Sequence, residues 1–166
     1  INGEHAGIYV LTEKIKIDNN RIDLPMPTDA DPSGGYIFKR EDGSEPDNGW
    51  VAASGLLYNY QDPKKEQLTV VQRGWLKDYM DRYEAMMASD QATDPVQGWQ
   101  SWIDMGSFID YALMMELSHN VDGYRKSAYL YKQPDAMGGK LFAGPIWDFD
   151  IAFGNADYCD AWKAEG

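Results

Sequence analysis

The chain has 166 residues, of which 27 are acidic and 15 basic, for a formal net charge of −12. Phosphate backbones and anionic lipid surfaces are bound by clustered Lys and Arg, so this balance argues against nucleic acid and membrane surfaces as partners. The single cysteine, Cys159, excludes an internal disulfide and a cysteine-built zinc site. His5 and His119 are too far apart to read as a local metal pair. No apolar run reaches ~18 residues, so no transmembrane helix is expected, and no signal-peptide pattern is present. Six Trp and eleven Tyr are many for this length and read either as core or as a stacking platform for a sugar or base.

Residues 7–12, with Ile8, Tyr9, Val10 and Leu11, are dense in β-formers and read as a buried strand. A charged stretch follows, turning at Asp18, Asn19 and Asn20, and then a loop rich in Pro, Asp and Gly. A second strand is predicted over 35–39, an acidic turn region over 41–49 and a third strand over 56–60, ended by Asp62-Pro63. Val71, Trp75, Tyr79, Tyr83 and Met86 recur at helical spacing. A second helix is predicted over about 107–119, with Asp104 or Ser107 as its cap. Residues 128–132 and 140–142 read as a hairpin that leads into Trp147-Asp148-Phe149-Asp150. The expected fold class is α+β, a mixed or antiparallel sheet with packed helices. One domain spans 1–166, with a strand-rich part over 1–70, helices over 71–120 and the chemistry over 121–166. The abrupt ends read as a piece cut from a larger domain.

Asp148 and Asp150 flank an aromatic just after a strand. If the segment is extended, both carboxylates point the same way, and two like charges on one face call for a cation between them. Hard oxygen ligands completed by phosphates suit Mg2+. Asp122 lies 26 residues earlier, in a Gly-containing loop after a helix. Helix, Asp loop, hairpin and metal-binding Asp is the layout of phosphoryl-transfer kinases. Lys39 is a candidate phosphate lysine with Lys14 as its competitor, and Glu13 is a candidate to orient such a lysine as an ion pair. Asp29 to Gly34 begins like a calcium loop, but the twelfth position is Arg40 rather than Glu, which excludes an EF-hand. There is no P-loop and no Ser-His-Asp signature.

Asn2-Gly3 with residues 7–14, Gly34-Gly35-Tyr36-Ile37, residues 120–127 with Tyr129-Leu130-Tyr131, and Pro145 to Asp150 with Ala152-Phe153-Gly154 together resemble the spore-coat protein H (CotH) kinase family. The resemblance implies an atypical protein kinase-like fold. It also implies ATP- and Mg2+- (or Mn2+-) dependent phosphorylation of serine in a surface or coat protein, and a secreted or cell-surface setting. It carries over to Asp122 as catalytic aspartate and to Asp148 as metal ligand, with Asp150 as a second contributor. Lys39 and Glu13 stand as nucleotide-site candidates. Many members have Asp-Arg where this chain has Asp122-Gly123, and an Asn that serves a second metal where this chain has Ser127. Two other readings remain open from the sequence. One is a glycosyltransferase using Asp148-Phe149-Asp150 as an Asp-x-Asp motif, and the other is a silent surface or adhesion module.

Overall fold

In the computed structural model, residues 2–5, 7–43 and 48–160 are described. The elements run β1 (Tyr36–Glu41), β2 (Gly49–Val51), β3 (Leu57–Asp62), α1 (Val70–Met87), α2 (Trp99–Trp102), α3 (Met105–Ser118), β4 (Ala128–Lys132) and β5 (Leu141–Ala143). The strands form one sheet in the order β2-β3-β1-β4-β5. All its pairings are antiparallel. The fold is α+β, as the sequence pattern implies. No helix among the described residues is long and apolar enough to cross a membrane.

Side-chain alternation along β1 divides the core in two. Tyr36 and Phe38 face α1 and pack with Tyr58 and Tyr60 of β3 and with Leu76, Tyr79 and Met80 of α1. Ile37 belongs to the opposite face, with Ile15, Ile22, Leu24 and Tyr129, against which Trp147 packs. Trp50, Tyr36, Tyr58, Tyr60 and Tyr79 are all buried, so much of the aromatic content serves as core. Lys132 is buried in the α1 layer. Its ammonium lies 5.1 and 4.8 Å from the ring centroids of Trp75 and Tyr79. It donates to the carbonyls of Ser33 at 2.8 Å and Gln133 at 2.6 Å. Such partners are what make a buried cation tolerable.

Helix α1 begins at a reciprocal cap. Thr69 Oγ1 accepts from the Gln72 N–H, and Gln72 Oε1 accepts from the Thr69 N–H. Asp104 caps α3 by accepting from the Ser107 N–H at 2.8 Å. At the other end His119 takes a left-handed conformation, φ 49°, and turns the chain into the loop that carries Asp122.

Three sequence expectations need correction. Residues 7–12 form no strand: Ile8, Tyr9, Val10 and Leu11 are exposed. β-propensity measures fit to a neighbouring strand, and no described strand lies beside this segment to supply the fit. Second, the short strand β2 was not predicted: it starts at Gly49, the last residue of the region read as an acidic turn, and buries Trp50 against Tyr58 and Tyr60. Residues 44–47 of that region lie outside the described residues. Third, the stretch before α3 contains the one-turn helix α2, too short for a periodic signal.

Candidate functional site

Lys39 and Glu41 share the sheet face of Ile37, opposite α1, because strand side chains repeat every two residues. Lys39 Nζ pairs with Glu41 Oε1 at 2.5 Å. The same Glu41 oxygen accepts from the Ser127 N–H at 3.2 Å and the Ser127 hydroxyl at 3.4 Å. The ammonium lies 5.9 Å from the ring centroid of Tyr129, which stands opposite Lys39 in the β1–β4 register. Glu13, the expected partner of a lysine, instead pairs with Arg21 at 2.8 Å. The pairing role falls to Glu41. Its signal in the sequence was the two-residue spacing from Lys39, which places both on one face of a strand.

The loop after α3 is tied to the end of β1. Arg40 Nη1 donates to the Tyr124 carbonyl at 2.9 Å, beside the Glu41–Ser127 bonds. Arg125 reaches Asp42 at 3.3 Å and clasps Asp122 with Nη2 at 2.7 Å and Nε at 3.1 Å. Asp122 in turn is the first charge to hold Arg125 further above its ordinary range, chiefly through this hydrogen bond. The Asp122 carbonyl accepts from the N–H groups of Arg125 and Lys126, both at 2.9 Å, so the loop is a tight turn. Gly123 sits where a Cβ would come within 2.1 Å of Met115 Sδ. Any larger residue there must displace that thioether. Arg125 was not among the sequence candidates.

Asp148 and Asp150 are both exposed. Asp148 has φ 65°, in the left-handed region, so the extended alternation that would aim the two carboxylates the same way does not hold. The segment is anchored by Asn120, whose side-chain amide donates to the Asp148 carbonyl at 3.2 Å. Trp147 meets Tyr129 edge-on at 6.3 Å. Burial pushes the Tyr129 phenol up, and the charges of Glu41 and Asp148 push it further. One ring therefore feels both the Lys39–Glu41 pair and Asp148. The structure thus gathers Lys39, Ser127 and Asp148 around β4 and joins the Asp122 loop to Asp148 through Asn120. Glu13 lies outside this group of contacts.

Among the described residues, no three or more His, Cys, Asp or Glu side chains form a group that could hold a metal ion. Mg2+ does not need such a cage, since it takes one or two carboxylates and completes its shell with water and phosphate. Asp148 and Asp150 offer that donor chemistry. A second observation agrees: the Asn120 Oδ1 acceptor is buried without a partner, on the side chain that binds the Asp148 backbone. Ser127 is less available, because its hydroxyl is directed to Glu41.

The fold and site define an α+β protein with a paired lysine on one sheet face and two aspartate-bearing loops beside it. A family model described as CotH kinase protein matches residues 1–166, the whole chain, and the chain belongs to that family. No curated protein and no solved structure matched it.

Proposed function

We propose that this domain transfers the γ-phosphoryl group of ATP to a serine hydroxyl of a surface or coat protein. Membership of the CotH kinase family supports the class of reaction. The observation that carries the finer reading is the link between the two aspartate loops. Asn120 joins the Asp122 turn to the Asp148 backbone, and the Lys39–Glu41 pair lies across Tyr129 from that segment.

In this reading Lys39 supplies the cation that meets a phosphate oxygen, and Glu41 keeps its ammonium in place. Asp122 orients the acceptor hydroxyl and takes its proton during transfer. Asp148, with Asp150, would hold Mg2+ or Mn2+. A bound divalent ion there offsets the phosphate charge that an acidic protein would otherwise repel.

The test is calorimetric titration of ATP with and without Mg2+, alongside phosphate transfer by the same protein. ATP affinity is expected to collapse on chelation. Asp148→Asn should weaken metal-dependent ATP binding together with turnover, because it removes charge from a hard-cation site. Asp122→Asn should cut turnover by about 10²-fold and leave ATP affinity nearly unchanged, since it acts on the acceptor. ATP binding that ignores the metal would overturn the reading. Metal-dependent binding of a nucleotide sugar in preference to ATP would replace it with glycosyl transfer, and no nucleotide binding at all would leave a silent module.

A further inference from the structure

The end of β1 and the loop after α3 are joined residue by residue. Arg40 donates to the Tyr124 carbonyl, Glu41 accepts from the Ser127 N–H, and Asp42, just after β1, accepts from Arg125 Nη1 at 3.3 Å. Of these three contacts only the last continues to Asp122. The Asp122 carbonyl accepts from the Arg125 N–H at 2.9 Å, and this turn carries the guanidinium back to the carboxylate three residues earlier. Nη2 at 2.7 Å and Nε at 3.1 Å both donate to Asp122 Oδ1. Oδ2 takes neither bond. Only 17% of the Asp122 side chain is exposed, against 60% for Asp42, so water screens the Asp122 end of this bridge less.

We infer that Arg125 is the positioning residue of the acceptor base: it holds the Asp122 carboxylate at a fixed place relative to the strand that carries Lys39. The inference rests on the transfer reaction proposed above. There a serine Oγ bonds to the γ-phosphorus of ATP and its proton passes to Asp122. The bond from that phosphorus to the bridging oxygen breaks, and ADP leaves. Two groups must therefore stand at a set distance, the phosphate met by Lys39 and the carboxylate that receives the proton. They belong to different elements, β1 and the loop after α3, and Arg125 spans the two. A planar guanidinium with its donors in a rigid fork fixes the direction of a carboxylate as well as its distance, which an ammonium does not. Here the fork closes on Oδ1 and leaves the proton to Oδ2. Its charge also lies between Asp42 and Asp122, so the base is not a bare anion facing the phosphates of ATP.

The test is a double-mutant cycle on the full chain. Transfer from saturating ATP and Mg2+ to a degenerate mixture of serine peptides is timed for the unchanged chain, Arg125→Gln, Asp122→Asn and the pair. Metal-dependent ATP affinity and melting temperature are measured in parallel. Arg125→Gln is expected to slow transfer by about 10- to 100-fold, the scale of a misplaced catalytic group. ATP affinity and melting temperature should barely move, since the Arg125 side chain is 47% exposed. In the Asp122→Asn background the same change should have little further effect, which a merely structural role would not produce. Arg125→Lys should recover only part of the loss. Asp42→Asn touches the bridge at its exposed end, so it tests the idea even if Arg125→Gln folds poorly. It should slow transfer less, and only while Arg125 is present. Full transfer by Arg125→Gln, or an equal fold-loss with and without Asp122, overturns the inference and leaves the proposed function standing. Full recovery by Arg125→Lys would reduce the role to charge and overturn the positioning. An unchanged chain that transfers no phosphate, or binds ATP without regard to metal, removes both readings.

Discussion

At the scale of single residues, the decisive contact is Glu41 with Lys39 and Ser127. Its carboxylate is mostly shielded, with 14% of the side chain exposed, so water screens the pair less than a surface ion pair. Glu41→Gln keeps an oxygen for the Ser127 N–H but removes the charge that holds the ammonium. ATP affinity should fall several-fold with little change in melting temperature. Combining Glu41→Gln with Lys39→Met should cost less than the sum of the two. The double-mutant cycle should return a coupling of about 1 kcal/mol. Strict additivity would separate Glu41 from the lysine. Lys39 was visible in the sequence as the cation on a strand. Glu13 is a sequence candidate for its partner because it follows an apolar run that reads as a strand. The segment holding Glu13 forms no strand, so that reasoning lost its basis.

At the scale of elements, α1 is held by two different forces, and each has its own test. Leu76 is fully buried against the sheet. Leu76→Ala leaves a cavity and should destabilise by about 2–5 kcal/mol in denaturant titration, the range for such truncations. Thr69→Ala removes the cap together with the exposed hydrogen bond from the Thr69 hydroxyl to Asp29, and should cost about 1 kcal/mol. If the cap variant lost as much as the core variant, α1 would depend on its start rather than on its packing. Helices α1 and α3 were legible because apolar residues recur at 3.6-residue spacing and Asp104 marks a start. The hairpin of β4 and β5 was legible because turn residues separate two β-rich runs. The false strand at 7–12 shows the opposite case. Its composition is that of a strand, but pairing is a tertiary property.

At the scale of the whole molecule, the aromatic core sets the response to alkali. Burial pushes Tyr60 up to about 12 and raises Tyr36, Tyr58 and Tyr79 still further. Tyr58 also donates to Glu84 at 2.6 Å, which favours its neutral form. In the unfolded chain these phenols ionise near pH 10. Above that pH the native state binds more protons than the unfolded state, so stability falls as pH rises. The loss should be on the order of 1 kcal/mol per buried tyrosine per pH unit until the folded pKa is reached. Lys132 works the other way. Burial lowers its pKa, so it penalises the fold most below its folded pKa, and that penalty fades as pH climbs toward about 10. Four tyrosines outweigh one lysine. The melting temperature should therefore drop steeply above pH 10, with phenolate absorbance at these residues appearing together with unfolding. Phenolate absorbance from these four tyrosines while the fold stays intact would contradict their burial.

The sequence by itself determined the α+β class, both long helices, the hairpin, and the family through the motifs around Asp122 and Asp148. These features rest on local periodicity, caps and residue order, all of which are written along the chain. The tertiary structure decided which groups meet. It paired Glu13 with Arg21 instead of a phosphate lysine, turned Asp148 into a left-handed conformation and tied the Asn120 side chain to the Asp148 backbone. Such contacts depend on how two faces of a sheet are covered and where a chain returns, and no local spacing encodes that.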